Sequence, residues 1–171
     1  GISDVEIFRL DDAAERGDLA YLLNIAATTT SNNVRQYIVH AFAHAFALYT
    51  ISSEIDEIGN NPAVLAGLTS FASRANPATL GQPTVVALIK SAAAEAKTLV
   101  AASIKEALEQ KGVFKKQDLR GHAARCLTAE VAYRLGRATG TKLIEKNPNG
   151  KDLSTQQLVV TIGQDARLSG E

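Results

Sequence analysis

The chain has little cysteine and no long run of apolar residues. Cys126 is the single cysteine among 171 residues, which excludes an internal disulfide and a zinc site built from several cysteines. No apolar stretch approaches the roughly 18 residues that a membrane-spanning helix needs. Asp4 and Glu6 stand where a signal peptide would have a basic flank. For a chain that is not cut from a longer one, these absences predict a cytoplasmic protein without membrane contact.

The net charge of the chain is zero, but the first part has few basic residues and the second part has few acidic ones. Residues 1–110 hold seven Lys or Arg against twelve Asp or Glu, and residues 111–171 hold eleven against six. The basic part lacks interleaved aromatic residues and any nucleic-acid-binding motif, so we expect no nucleic-acid partner. A hydrophobic content of 46% is enough for the core of one ordinary domain.

The first part of the sequence, residues 1–111, has the periodicity of helices. A helix capped by Asp18 is predicted to run to Ala27, and a second is predicted over 33–58. A third is predicted over 60–74, and a long alanine-rich helix over 83–110. Short links between these helices favour an antiparallel bundle of three to five helices. The residues predicted to form its core are Leu22, Ile38, Phe42, Phe46, Val86, Ile89 and Leu99.

Two polar clusters interrupt the helical pattern. His40 and His44 lie one turn apart and could present two nitrogens to a metal ion, but the sequence offers no third ligand beside them. Because they lie opposite the apolar stripe of their helix, we predict a solvated or inter-helix polar face and no metal site. The acids of "SSEIDEIG" fall near the end of the predicted 33–58 helix, where the helix dipole disfavours negative charge.

The pattern changes after residue 111. A short strand-like run, an amphipathic helix over 127–146, a loop and the strand-like "QLVVTIG" follow one another, so residues 112–171 are predicted to form a βαβ unit. Thr128 is the expected helix cap. The side chains expected to face inward from this helix are Val131, Leu135, Ala138 and Leu143. The predicted fold class is therefore mainly α, a helical bundle followed by a βαβ segment.

Three motifs of the second part resemble the start of the α-D-phosphohexomutases, in particular the phosphomannomutase/phosphoglucomutase type. They are "VFKKQDLRG", "LTAEVAYRLGRATGTKL" and "VVTIGQDARLSGE", which match the family in order and spacing over about 60 residues. The resemblance does not extend to residues 1–111. It implies an isomerase of carbohydrate metabolism that moves phosphate between the C6 and C1 oxygens of a hexose phosphate, with a phosphorylated serine and magnesium.

The resemblance also assigns roles to individual residues. Arg120 matches the arginine beside the active-site phosphate, where a fixed guanidinium fork suits the task. Asp118 is expected to hold the first turn, and Asp165 and Arg167 to form a structural ion pair in the second. Gln117 stands where the family has a tyrosine, and the replacement removes an aromatic wall from the substrate site.

Lys116 has two open interpretations. It would lie in the phosphate vicinity, or it would be an ordinary lysine on a strand edge, where it blocks unwanted pairing.

The family's nucleophile and metal loop are missing from the 171 residues. No residue of this chain is therefore assigned a catalytic role, and neither magnesium nor another metal ion is expected to bind it. The sequence supports two hypotheses: part of a phosphohexomutase with an added helical region, or a non-catalytic helical interaction or oligomerisation module. The expected partners are a hexose phosphate in the whole family and a second copy of the chain, since two strands leave apolar surface uncovered.

Overall fold

The computed structural model describes residues 3–15, 18–63, 83–109, 120–122 and 125–146. These residues form a mainly helical protein, and no strand occurs among them. The helices are α1 (Asp4–Glu15), α2 (Leu19–Thr28), α3 (Asn32–Tyr49), α4 (Ser52–Asn60), α5 (Pro83–Leu108) and α6 (Ala129–Lys146). Within this part of the chain, no helix is both long enough and apolar enough to cross a membrane.

Helix α1 was not predicted from the apolar periodicity, but a local signal for it is present. The Ser3 hydroxyl accepts the N–H of Glu6 at 3.3 Å, and the Glu6 carboxylate accepts the N–H of Ser3 at 3.0 Å. This reciprocal pair is a capping box, whose sequence signature is Ser-x-x-Glu. The hydrogen bonds from Ser3 lower the pKa of Glu6, because they favour its charged form.

Side-chain caps begin α2 and α3. The Asp18 carboxylate accepts a backbone N–H of the first turn of α2 at 3.1 Å, as predicted. At α3 the cap is Ser31, whose hydroxyl accepts a backbone N–H at 3.4 Å. Asn32 and Asn33 are also residues that commonly cap helices, but both already belong to α3.

The predicted helix over 33–58 is two helices. Helix α3 ends at Tyr49, and Thr50 is extended with φ −127° and ψ 139°. Helix α4 then begins at Ser52, and the Glu54 carboxylate accepts the N–H of Ile51 at 3.1 Å. The acid thus lies in the first turn of a new helix, where the dipole favours negative charge. The prediction that these acids lie near the end of a helix was therefore wrong for Glu54, whereas Asp56 and Glu57 lie in the second half of α4.

One apolar core contains buried residues from all five helices α1, α2, α3, α4 and α5. Five of the seven predicted core residues are buried, namely Leu22, Ile38, Phe42, Phe46 and Ile89. The remaining two, Val86 and Leu99, are partly buried and pack against this core. The side of α5 that faces inward is centred on other residues, including Val85, Leu88 and Ala92.

Helix α5 is the long helix of the bundle and contacts α2, α3, α4 and α6. Its 26 residues span roughly 40 Å at the α-helical rise. Asp56 of α4 pairs with Lys97, and a Cβ built on Gly59 would lie 3.5 Å from Cβ of Ala93. Asp56 precedes Gly59 on α4, whereas its partner Lys97 follows Ala93 on α5. The two helices therefore run antiparallel.

Several predictions fall outside the described residues. These are the helix over 60–74, except its first residues, and both strand-like runs of the 112–171 segment. The described part of that segment consists of α6 and the turn before it.

Candidate functional site

Most of the residues to which the resemblance assigns a role lie outside the described part of the chain. Arg120 is described and exposed, in the segment that precedes α6. The other five residues lie outside the described residues: Lys116, Gln117, Asp118, Asp165 and Arg167. The phosphate vicinity of Lys116 and Gln117 and the structural roles of the other three residues therefore stay predictions.

Helix α6 is attached to the bundle by a buried carboxylate. Glu130 is 5% exposed. Its Oε2 accepts the N–H of Ser52 at 2.8 Å, and its Oε1 accepts Nε–H of Arg134 at 2.6 Å. Burial acts to raise the pKa of Glu130, but the hydrogen bonds from Ser52 and Arg134 outweigh it and lower the pKa. An ionised Glu130 thus fastens the start of α6 to the start of α4.

A second polar contact holds α6 against α5. The hydroxyl groups of Ser103 and Thr128 lie 3.1 Å apart, and both residues are buried. The Thr128 hydroxyl also accepts the N–H of Val131 at 3.5 Å, which confirms the predicted cap. Because each hydroxyl has a partner, neither is left unsatisfied in the interior.

A small apolar cluster surrounds these hydroxyls. Ala107, Cys126 and Val131 are buried together. The Cys126 thiol donates to the His122 carbonyl, with sulfur and oxygen 3.6 Å apart. Cys126 therefore packs as a small apolar side chain, as most buried free cysteines do.

The bundle covers only the first turns of α6. Val131 is buried and Leu135 is partly buried, as predicted. Ala138 and Leu143 were predicted to face inward as well, but both are exposed. The prediction was wrong for these two residues because α6 extends past its contacts with α3 and α5.

A second apolar side of α6 points away from Val131. It consists of Tyr133, Gly136, Gly140, Leu143 and Ile144, which recur at intervals of three or four residues and form the outer face of α6. Tyr133, Leu143 and Ile144 are 46%, 40% and 44% exposed. A Cβ added at Gly136 or Gly140 would meet nothing within 4 Å. The outer face therefore offers a surface that another backbone could approach closely.

The histidine pair of α3 faces α5. Nε2 of His40 and Nε2 of His44 are 3.0 Å apart, and the two rings are nearly perpendicular at 76°. Nδ1 of His40 contacts the carboxylate of Glu95 on α5. Both histidines are exposed, so the predicted polar face between helices is confirmed. Burial, and then the neighbouring His40, lower the pKa of His44, whereas Glu95 acts in the opposite direction.

Two further features bear on binding. The described residues contain no group of three or more His, Cys, Asp or Glu side chains that could hold a metal ion.

An open cavity of about 290 Å³ lies between α1, α2 and α3, with Arg9, Leu10, Tyr21 and Thr28 among its lining residues. This volume is at the lower limit of small-molecule pockets.

Comparison with family models, curated proteins and solved structures finds no match. The class of protein is thus defined by the described geometry, which is a helical bundle with a partly exposed amphipathic helix attached to it. The phosphohexomutase resemblance of residues 112–171 remains a prediction.

Proposed function

We propose that residues 112–171 form the opening βαβ unit of a phosphohexomutase-type domain, attached to a helical bundle of residues 1–111. The two-sided character of α6 supports this proposal. Val131 and Leu135 face the bundle, while the outer face is exposed. A helix with apolar residues on two sides needs cover on both, and the crossover helix of a βαβ unit packs on a sheet.

The sequence contains a strand-like segment that could pack on the outer face of α6. Residues 147–157 separate α6 from "LVVTI" at 158–162, so the chain is long enough to return along the helix. β-Branched residues favour a strand there. Gly136 and Gly140 would let such a strand approach α6 closely, because neither has a side chain to hold it away.

The proposed chemistry is phosphoryl transfer within a hexose phosphate. Arg120, with Gln117 and Lys116, would lie near a phosphate group of the sugar, and a guanidinium fork binds phosphate through two hydrogen bonds. In the family a separate loop holds magnesium, and this loop is not among the 171 residues. We therefore assign binding of the substrate phosphate to this chain and no chemical step.

The βαβ proposal predicts that Leu143→Asp uncovers residues 158–163. A charge on the outer face would oppose packing of an apolar strand, so the amides of 158–163 should lose protection from hydrogen exchange. Ala138→Asp is the matched control, because Ala138 is also exposed but lies on the opposite side of α6. Residues 158–163 that exchange as fast as an unfolded peptide in the parent protein would contradict the proposal.

Phosphate recognition can be tested at Arg120. Titration with mannose 6-phosphate should shift the guanidinium NMR signal of Arg120, and Arg120→Ala should abolish the weak binding. Arg125→Ala is the control, since Arg125 is exposed and pairs with Glu106 at 2.7 Å. Equal binding by the parent and Arg120→Ala proteins would overturn the assignment.

The chain alone is expected to show no mutase activity, because positioning and charge stabilisation around a nucleophile and a metal ion drive phosphoryl transfer. The assay is conversion of mannose 1-phosphate to mannose 6-phosphate with magnesium and a bisphosphate activator. Conversion by the purified chain would show that this expectation is wrong.

The second candidate is a non-catalytic interaction or oligomerisation module. The exposed outer face favours it, because an apolar helix side with two glycines also suits a second helix, here that of another copy of the chain. Sedimentation separates the candidates. In a homodimer formed through α6, Leu143→Asp would halve the mass, whereas in the βαβ arrangement it would change exchange at 158–163 and leave the mass unaltered.

A further inference from the structure

His40 and His44 present two ring nitrogens to one position on the protein surface. They lie one turn apart on α3, and their Nε2 atoms are separated by 3.0 Å. The His40 side chain is 58% exposed, so an ion can reach it from solvent. We propose that His40 and His44 chelate a divalent cation of the late first transition row, Cu²⁺ or Ni²⁺, through their Nε2 atoms, with water completing the coordination shell.

The chemistry of the ligands favours these ions. Imidazole nitrogen suits copper and nickel, and copper leads the affinity order of divalent first-row metals for such ligands. Metal–imidazole bonds are about 2.0–2.1 Å long, so two nitrogens that already lie 3.0 Å apart can reach one ion.

Glu95 supplies the outer-shell partner that a metal-binding imidazole usually has. Its carboxylate contacts Nδ1 of His40. An ionised carboxylate only accepts hydrogen bonds, so the proton of neutral His40 lies on Nδ1. The lone pair is then on Nε2, which is the nitrogen that faces His44. Glu95 thus holds His40 in the tautomer required for binding and increases the basicity of the ligand.

Binding would replace the contact between the two Nε2 atoms. In the absence of an ion, His44 donates its Nε2 proton to the lone pair of His40. When an ion binds, that proton moves through water to Nδ1 of His44, and both Nε2 lone pairs turn to the ion. Acid should oppose binding, because protons compete with the ion for the same two nitrogens.

The site differs from structural metal centres in having two protein ligands. The proposal therefore departs from the sequence prediction of no metal site, which was based on the lack of a third ligand. The affinity of the site should be modest, and the bound ion should stabilise the folded protein by mass action, since the unfolded chain does not hold the two rings together.

The test is titration of the untagged, full chain with Ni²⁺ by calorimetry. Nickel is used as the probe because it does not oxidise the thiol of Cys126. One ion per chain should bind, and His40→Ala or His44→Ala should lower the affinity at least about tenfold, since each removes one of two ligands. His122→Ala is the matched control, because His122 is the third histidine and is also exposed. It should leave the affinity unchanged.

Glu95→Gln tests the outer-shell role separately. Loss of the carboxylate should weaken nickel binding about tenfold, at the lower end of outer-shell effects. Saturating nickel should also raise the melting temperature of the parent and His122→Ala proteins but not that of His40→Ala/His44→Ala. Unchanged affinity in this double variant, or no binding at millimolar nickel, would overturn the proposal. Unchanged affinity in Glu95→Gln would overturn the role of Glu95.

Discussion

A carboxylate that is buried on folding needs hydrogen-bond donors for both of its oxygens. Glu130 has one from the backbone of Ser52 and one from Arg134. The two donors come from different elements, α4 and α6 itself. A single residue therefore connects two helices that are far apart in sequence.

Glu130→Ala should lower the free energy of unfolding by about 1.5–3 kcal/mol, the usual contribution of hydrogen bonds to a charged group. It removes both bonds and leaves the Ser52 N–H without its acceptor. Chemical denaturation measures the change. Glu145→Ala is the control, because Glu145 forms an exposed pair with Lys142, and its loss should stay within about 0.5 kcal/mol. Equal effects of the two substitutions would contradict the role of Glu130.

His44 should make the stability depend on pH on the acidic side of 6.5. Burial lowers the pKa of His44 in the folded state below its ordinary value of 6.5. The unfolded chain then binds more protons as the pH falls below 6.5, so the free energy of unfolding decreases. Denaturation is measured above and below this pH with a metal chelator present. The free energy of unfolding should decrease less in His44→Gln than in the parent protein. Parallel pH profiles for the two proteins would contradict this prediction.

At the scale of elements, the break at Thr50 separates α3 from α4, and both helices contact α5. Thr50 is extended, and Glu54 accepts the N–H of Ile51. The N–H of Ser52 is bonded to Glu130, so the first turn of α4 is satisfied partly by its own sequence and partly by α6. Ile55 of α4 is fully buried in the core of the bundle.

Glu54→Ala should destabilise the protein by about 0.5–2 kcal/mol, as loss of a helix cap does. The substitution removes the acceptor for the Ile51 N–H and a negative charge from the first turn of α4. Thermal or chemical denaturation is the measurement, and Ser53→Ala, at an exposed neighbouring position, is the control. An unchanged stability in Glu54→Ala would show that water replaces the carboxylate without cost.

At the scale of the whole molecule, the described residues form a large core and a small attached cluster. The large core joins α1 to α5, and the small one holds the start of α6. Most apolar burial is therefore in the bundle, while α6 is held by few side chains and two polar contacts. Tyr133, Leu143 and Ile144 on the outer face of α6 remain partly exposed.

Ile38→Ala should lower the free energy of unfolding by about 2–5 kcal/mol, because Ile38 is completely buried and the substitution leaves a cavity. Leu108→Ala removes a similar side chain that is 70% exposed, so its effect should remain within about 0.5 kcal/mol. The denaturation midpoints of the two variants provide the comparison. Similar losses would show that the bundle core is packed differently.

Much of the bundle could be predicted because its signals are local. Apolar spacing placed Ile38, Phe42 and Phe46 in the core, and Asp18 and Thr128 were identified as caps. The Ser-x-x-Glu signature at Ser3 would have predicted α1 as well. These features depend on residues within one or two turns of each other, so the sequence alone determines them.

The tertiary structure decided features that depend on distant partners. The break at Thr50 accompanies contacts of α4 with α5 and with Glu130, and the orientation of His40 depends on Glu95, 55 residues away. The exposure of Ala138 and Leu143 follows from where the bundle ends, which helical periodicity cannot show. Hydrogen bonds and burial between distant segments exist only once the chain has folded, and for that reason the sequence by itself did not determine them.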